Sequence, residues 1–437
     1  MKKMNLFDLV SVGVGSIIGA GIFSMLSTGV ALTGRSIGIA VIFSMTLMCL
    51  QYVRAMFTAS MFSLDGGMYA QQALIVGPIL AGCGAFMNLV SALSYSIFGI
   101  SISNYLVQLF PALEPYRRIL SLAVLTVFFL LAAGGVNIFA KVQNLMAVFM
   151  YIALALFVVF GLPKVQWGGF SGEPFMFNGV KNFCIAIAIM SFACDGAFNL
   201  FNLQGVAKNS KRNIPLSFFI SSAVAGLIYF FLGTVAGGVL PYAEASATEL
   251  GGIAQAVMPK AFYLFFVVCG AMFAIGTTLL GGLIAMPAPI VASAEDGWLP
   301  GFMKNQKIVY LIFYATAIIP VIFDVTFDVI VSFVLVPGLI LGVVCNFATI
   351  SLPKRFPEAW EKCDLKCSYP VFVALIGLSI LGSLVTAYFS VAGTDMFTII
   401  GNAVLTIVMF TYATWRVKSG KIELKSIQNI NEEQDNA

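Results

Sequence analysis

Histidine is absent from the 437 residues, and charged residues make up only 10% of them. Soluble domains carry roughly 25% charged residues, so this composition excludes an ordinary soluble protein. Without histidine the chain has no imidazole base or metal ligand, and the few acids of the apolar segments are scattered. We therefore predict no catalytic and no metal-binding residue, and a membrane-embedded enzyme is kept only as a remote alternative.

Cysteine is present eight times but in no pattern that indicates a disulfide framework. Six of the cysteines lie in apolar segments, where cysteine behaves as a small hydrophobic residue. Cys363 and Cys367 flank a charged loop, and two thiols without histidine are a weak indication of a metal site.

Long apolar segments are abundant, since 60% of the residues are hydrophobic. A membrane span needs roughly 20 apolar residues. The candidate spans are 6–32, 37–64, 79–110, 119–136, 145–162, 180–203, 216–240, 262–292, 310–323, 329–352, 371–391 and 397–412. The ninth is short and contains Pro320. We predict an all-α membrane protein with twelve transmembrane helices.

The basic residues indicate how these spans are oriented. With the N-terminus in the cytoplasm, sixteen of the 23 Lys and Arg residues fall on the cytoplasmic side and six on the outer side. Arg54 lies within the second span. The positive-inside rule therefore predicts a multi-pass protein of the cell membrane with both termini in the cytoplasm. The polar tail after Trp415, which ends in residues 429–437, is predicted to be disordered.

The first span contains an unusual concentration of glycine: Gly13, Gly15, Gly19 and Gly21 lie within nine positions. Each glycine weakens a helix by roughly 0.5–1 kcal/mol relative to alanine, so a break is predicted here. A broken backbone at membrane depth is tolerated only where it lines a cavity or is buried in protein. We interpret the stretch as half of a substrate site. The alternative is close helix–helix packing through the small residues of Gly15-x-x-x-Gly19.

The sixth span carries Asp195 and Gly196 near its middle. An ionisable residue at that depth is costly and is a functional candidate, although it can also be a structural acid hydrogen-bonded inside a polar bundle. Gly196 offers a place for the helix to unwind, which gives a second broken helix five spans after the first. Because five is odd, two such units must be inverted relative to each other, as in inverted-repeat secondary transporters.

The predicted organisation is thus a 5+5 inverted repeat with broken helices 1 and 6. The first repeat covers 1–175 and the second covers 176–353. Accessory helices 11 and 12 occupy 354–415, and a cytoplasmic tail occupies 416–437.

Helix ends explain what two such breaks can bind. Unwinding leaves N–H groups on one side and C=O groups on the other without helical partners. The positive N-terminal end of a half-helix favours a carboxylate, and the free carbonyls favour an ammonium group. Two broken helices that cross at the midplane can therefore bind the main chain of a zwitterionic amino acid without a charged side chain.

Four motifs carry a resemblance to a known family. They are GSIIGAGIF at 15–23, Gly66-Gly67-x-Tyr69, CDG at 194–196 followed by KNSKRNIP at 208–215, and EDGWLP at 295–300. With these motifs the chain resembles the amino acid–polyamine–organocation (APC) superfamily of transporters. The resemblance implies the twelve-helix fold and transport by alternating access.

The resemblance also implies roles for individual residues. The unwound segment at Gly19 would present the N–H groups of Ala20 and Gly21 to the substrate carboxylate. The carbonyls of Ile17, Phe192 and Asp195 would lie near the amino group, and Phe192 would close over the substrate. The side chains expected to face the site are Ala20, Ser91, Ser94, Cys194, Ala197, Phe198 and Thr277. A valine at Gly21 is expected to fill the carboxylate space without unfolding the protein.

Thr277 and Thr278 are adjacent in the eighth span and resemble the sodium ligands of sodium-coupled relatives of this fold. Together with Gly13 and Ser16 they form a candidate cation site, since oxygen ligands suit a hard cation. The alternative is that both hydroxyls merely bond to their own helix. Met150 stands where several members have a lysine, which argues against a lysine-based proton mechanism. The coupling ion is left open between Na⁺ and H⁺.

These features predict a secondary active permease or exchanger of small, neutral amino acids. A cationic amino acid or polyamine antiporter is the alternative, although such substrates would need more acidic partners than Asp195. The predicted partners are the amino acid and the lipid bilayer, with no nucleic acid and no cofactor. The oligomeric state is not predicted.

Overall fold

The computed structural model describes residues 3–134, 136–170, 175–392 and 395–428. Within these ranges all regular elements are helical, and Met4 and Ala207 form one isolated bridge. Eleven helical stretches of the described chain are long and apolar enough to cross a membrane, and a further apolar helix, Gln306–Ile322, has 17 residues. The all-α membrane class is therefore confirmed, while the count of twelve spans and the inverted repeat stay predictions.

The helices of the first 170 residues follow one another with short connections. In the described part they are α1 (Leu6–Ile17), α2 (Ala20–Thr33), α3 (Ile37–Gln51), α4 (Val53–Met61), α5 (Gly67–Val76), α6 (Pro78–Val90), α7 (Tyr95–Leu109), α8 (Arg117–Ala133) and α9 (Val136–Gly161).

The second part of the chain adds short helices between its long ones. The described helices are α10 (Gly179–Cys194), α11 (Ser210–Gly238), α12 (Tyr242–Ala245), α13 (Leu250–Val257), α14 (Lys260–Phe265), α15 (Phe273–Ala285), α16 (Pro287–Glu295), α17 (Gln306–Ile322), α18 (Phe327–Thr349), α19 (Leu352–Arg355), α20 (Pro357–Glu361), α21 (Tyr369–Ala392) and α22 (Met396–Lys418).

The break predicted in the first span lies between α1 and α2. Ile18 (φ −77°, ψ 97°) and Gly19 (φ −155°, ψ −151°) both have extended backbone. The second interruption has a different form, because α10 ends at Cys194 and the chain continues as a 3₁₀ helix over Asp195–Val206. A 3₁₀ run of this length is uncommon. The sixth span thus changes helix type at Asp195 where an unwound segment was expected.

Glycine lets these two elements cross in close contact. A Cβ atom at Gly196 would overlap the backbone of Ser16 and lie 2.5 Å from the Ile17 nitrogen. A Cβ atom at Gly21 would lie 2.6 Å from the Cα atom of Ala193. The predicted break and close packing through small residues therefore occur together, and the interpretation of the stretch as half of a substrate site stays a prediction.

Three more spans that were expected to be continuous helices are irregular. The second is kinked at Tyr52, between α3 and α4. The third contains a 3₁₀ turn over Ser91–Ser94, and the eighth contains a π-helix over Phe266–Met272. Such irregularities are frequent at functional sites.

Helix α5, which was not predicted, follows the second span and joins two of the weaker motifs. The hydroxyl of Tyr69 donates a hydrogen bond to Oδ2 of Asp296, at 2.7 Å. Burial, and then the neighbouring Asp296 carboxylate, raise the pKa of Tyr69 well above its ordinary value. The GGxY and EDGWLP motifs are therefore in direct contact in the fold.

The tail after Trp415 is ordered as far as residue 428, which contradicts the prediction. Helix α22 runs to Lys418, and the Arg416 Nη2 atom donates to the carbonyl of Gly297 at 2.9 Å. Ser426 donates to Asp296 from its backbone N–H at 2.8 Å and from its hydroxyl at 2.6 Å. The tail is ordered because its polar groups are satisfied by this buried carboxylate. Residues 429–437 lie outside the described residues.

Candidate functional site

A cavity of about 260 Å³ lies beside the break in the first span. The predicted residues that line it are Ile17, Gly19, Ala20, Gly21, Ser91, Ser94, Phe192, Asp195 and Phe198. Three residues that were expected to face it do not: Cys194, Ala197 and Thr277 are fully buried elsewhere. That the lining residues bind a substrate stays a prediction.

The three-residue period of the 3₁₀ helix explains why Cys194 and Ala197 of the sixth span do not face the cavity. Residues three apart share a face of such a helix. Cys194, Ala197, Leu200 and Leu203 follow this spacing, and all four are buried in the protein. Asp195 and Phe198, one position later, therefore face the cavity, as do Asn199 and Asn202.

The N-terminus of α2 faces the cavity without a cap. Gly19 is the N-cap residue and supplies no side chain to the first N–H groups of the helix, which include those of Ala20 and Gly21. These N–H groups have no acceptor within the helix. Together with the positive end of the helix dipole they form a site suited to a carboxylate.

Two of the carbonyls expected to bind an amino group, those of Ile17 and Phe192, already accept hydrogen bonds within the protein. The buried Tyr229 hydroxyl donates to the carbonyl of Ile17 at 2.7 Å and to that of Ala193 at 3.1 Å. The carbonyl of Phe192 accepts the N–H of Asp195. Tyr229 therefore bridges the two interrupted helices through its hydroxyl group, a role that the sequence did not suggest.

Several side chains of the cavity wall hold buried polar atoms without a hydrogen-bond partner. They are the Ser16 hydroxyl, Nε and Nη1 of Arg54, the Tyr95 hydroxyl, Oδ1 of Asp195 and Oδ1 of Asn199. The Tyr52 phenol interacts with the carboxyl of Asp195. The expectation of a small or apolar wall is therefore incomplete. Arg54 could have been found, because a charged residue within a span indicates function.

The threonine pair of α15 contacts the broken helix directly. The Thr278 hydroxyl lies 2.8 Å from the Gly15 carbonyl oxygen and 3.0 Å from that of Ile18. The Thr277 hydroxyl lies 3.2 Å from the same Gly15 oxygen. Both hydroxyls also lie near the carbonyl of Ala274, at 2.9 and 3.1 Å, so they contact their own helix as well as the broken one. That this cluster binds a cation stays a prediction.

Two predicted members of the cation site do not join this oxygen cluster. Gly13 lies on another side of α1, where a Cβ atom would come 2.9 Å from Leu200. The Ser16 hydroxyl has no hydrogen-bond partner and packs against Gly281. The carbonyls of Ile18 and Ala274 take their places. The Met150 sulfur lies 3.9 Å from the Thr277 hydroxyl, so the expected lysine position does adjoin the cluster.

Aromatic rings pack against one another beyond the break. Phe23 is fully buried, and its ring centroid lies 6.1 Å from that of Tyr105 and 6.0 Å from that of Phe266. On the other side the cavity reaches Met68 and Asn202. The backbone N–H of Met68 donates a hydrogen bond to Oδ1 of Asn202, at 2.9 Å. The cavity therefore extends from the break toward the face that carries the N-terminus.

Comparison with known proteins identifies relatives along nearly the whole chain. A family model described as amino acid permease matches residues 4–413. The methylthioribose transporter of Bacillus subtilis is 26% identical over 94% of this chain and 93% of its own length. The cationic amino acid transporter 4, vacuolar, of Arabidopsis thaliana is 25% identical over 70% of this chain and 54% of its own length. The branched-chain amino acid permease BcaP of Bacillus subtilis is 22% identical over 70% of this chain and 69% of its own length.

Proposed function

The chain belongs to the amino acid permease family, and from this premise we propose that it is a secondary active transporter of small amino acids that works by alternating access. The observation that carries the proposal is the uncapped N-terminus of α2, which faces a cavity beside the extended residues Ile18 and Gly19. This is a site for the carboxylate that every amino acid carries.

The ammonium group of the same substrate has a matching acceptor. Oδ1 of Asp195 is buried in the cavity wall without a hydrogen-bond partner, and Ile17 and Phe192 line the same cavity. A charge-assisted hydrogen bond to this oxygen would hold the ammonium group. The α-carboxylate and the α-ammonium would then bind on opposite sides of the point where the first and sixth spans cross.

Neutral amino acids are the proposed substrate class. The cavity wall holds one acid, Asp195, and one base, Arg54, so their formal charges cancel. A cationic side chain or a diamine would bring a further positive charge toward Arg54, which disfavours the alternative of a cationic amino acid or polyamine antiporter. The cavity of about 260 Å³ also suits a small molecule.

We propose Na⁺ as the coupling ion and the threonine cluster as its site. The hydroxyls of Thr277 and Thr278 and the carbonyls of Gly15, Ile18 and Ala274 supply five oxygens within one cluster. Oxygen ligands suit a hard cation, and a bound cation would join α15 to the broken helix beside the substrate. Proton coupling is the alternative.

The proposed architecture is the twelve-helix, 5+5 inverted repeat in the cell membrane with both termini in the cytoplasm. Under this assignment the described state is closed on the outer side by the cluster of Phe23, Tyr105 and Phe266. The cavity would open toward the cytoplasm, and transport would alternate between this state and its outward counterpart.

The experiment is thermal unfolding of the purified full chain with each of the twenty amino acids and common polyamines, in sodium and in potassium. A ligand of the folded state raises its stability by about 2.7 kcal/mol at one hundred times its Kd. We expect stabilisation by small neutral amino acids, and more of it in sodium. Stabilisation only by arginine, lysine or a diamine would establish the antiporter instead, and no response to any compound would contradict the substrate class.

A further inference from the structure

Arg54 is a buried cation in the wall of the substrate cavity. It lies in α4, two residues after the kink at Tyr52, and is only 4% exposed. Its Nε and Nη1 atoms are buried without hydrogen-bond partners. A guanidinium group left in this condition inside a membrane protein is costly, so an acceptor is expected to bind it in the working protein.

The described chain supplies no carboxylate that could be this acceptor. The ion pairs among the described residues join exposed side chains, and Arg54 belongs to none of them. Asp195 lines the same cavity, yet its Oδ1 atom is also unpartnered, so the two charges do not satisfy each other. Tyr52 lies near both groups. The cavity thus holds an acceptor site and a donor site at separate positions.

Free space adjoins the donor site. Gly338 and Gly342 of α18 line the cavity, and a Cβ atom at either one would meet no atom within 4 Å. Cys345, one turn further along α18, lies near Arg54. A substrate side chain that extends along this glycine face would therefore end beside the guanidinium group.

We propose that Arg54 binds the substrate side chain and that the transported amino acids carry an oxygen acceptor there, as a hydroxyl, amide or carboxylate group. This inference rests on the proposed function and extends it. The break binds the α-carboxylate, Asp195 binds the α-ammonium, and Arg54 selects the side chain. Apolar side chains leave the guanidinium unsatisfied, and cationic ones are repelled by it.

Isosteric amino acid pairs test the proposal on the unaltered protein. Threonine and valine differ by a hydroxyl against a methyl group, and asparagine and aspartate match leucine in shape. Hydrogen bonds to a charged group correspond to about ten- to hundred-fold in affinity. We therefore expect at least ten-fold tighter binding of threonine than of valine, and of asparagine or aspartate than of leucine, by thermal shift or calorimetry.

Substitutions of Arg54 test whether this residue causes the difference in affinity between the isosteric amino acids. Arg54→Gln removes the charge and should reduce these ratios to within about three-fold, while alanine, bound by its main chain alone, keeps its affinity. Arg54→Lys keeps the charge without the planar fork and should give intermediate ratios. Arg118→Gln is the control, since it removes an arginine from an exposed ion pair with Asp324 and should leave every ratio unchanged.

The outcomes separate this inference from the proposed function. If alanine binds but valine and leucine bind as tightly as their polar isosteres, the inference is wrong and the transporter stands. If aspartate and glutamate bind best, the inference stands with a carboxylate as the acceptor, and the neutral class is replaced. If no amino acid binds, both are wrong. If Arg54→Gln does not fold, the isosteric pairs on the unaltered protein and the Arg54→Lys variant still test the inference.

Discussion

Gly21 shows how one residue can serve two purposes at a crossing of helices. Its N–H belongs to the uncapped turn of α2 that faces the cavity, and its missing Cβ leaves room for the backbone of α10. The expectation that a valine here would fill only the carboxylate space is contradicted by the structure. The first atom added would meet Ala193, because the helices cross at van der Waals distance.

Gly21→Ala is therefore expected to lower stability and transport together. A Cβ atom 2.6 Å from the Ala193 Cα atom forces the helices apart, and overpacking of this kind costs about 1–3 kcal/mol. The measurement is the melting temperature of the purified variant beside its uptake rate. Gly338→Ala is the stability control, because its Cβ atom meets open space and alanine favours the helix. Equal melting temperatures for the two variants would contradict the close crossing.

Helix α15 is joined to the broken first span by hydroxyl groups. Thr278 reaches the carbonyls of Gly15 and Ile18, which are the groups that a continuous helix would have occupied. The break thus supplies acceptors, and α15 supplies the groups that meet them. Helices that can exchange such contacts for a bound ion can couple ion binding to movement.

Thr278→Val is expected to abolish the stabilisation by sodium while the protein still folds. The change keeps the shape of the side chain and removes one oxygen of the cluster. Melting temperatures in sodium and in potassium measure the effect. Thr349→Val is the matched control, because the Thr349 hydroxyl is buried and bonds only to the Cys345 carbonyl of its own helix, at 2.8 Å. A sodium response that survives in Thr278→Val would reject this cluster as the ion site.

The molecule as a whole is held at one face by contacts between distant parts of the chain. Met4 pairs with Ala207, and the buried Asp296 carboxylate accepts hydrogen bonds from Tyr69 and from Ser426. Asp296, which follows α16 directly, thereby joins both α5 and the C-terminal segment. Both described ends of the chain lie on this face, toward which the cavity extends.

Ser426→Ala is expected to loosen the C-terminal segment. It removes the 2.6 Å hydrogen bond to a buried carboxylate, which corresponds to about 1–3 kcal/mol. Trypsin should then cleave faster after Lys421, which limited proteolysis with mass spectrometry would detect. Ser419→Ala provides the comparison, since its hydroxyl is exposed and bonds only to the Arg416 carbonyl. Identical cleavage rates in both variants would show that the hydrogen bond from the Ser426 hydroxyl to Asp296 does not hold the segment.

The membrane class and the first break followed from the amino acid sequence because they depend on local properties. Apolar length predicts a span, and four glycines within nine positions weaken a helix wherever they stand. Each of these properties can be read within a few residues. The contact of Thr277 and Thr278 with carbonyls near the start of the chain was instead implied by the resemblance to sodium-coupled relatives of this fold.

Other features depended on contacts between residues far apart in the chain, and only the tertiary structure decided them. The 3₁₀ period that buries Cys194 and Ala197 follows from how the sixth span packs on the first. Arg54 lines the cavity close to the interruption of the second span at Tyr52, and the C-terminal segment is ordered because Asp296 lies within its reach. Long-range packing sets these positions, and no local pattern encodes the partner that a residue will meet.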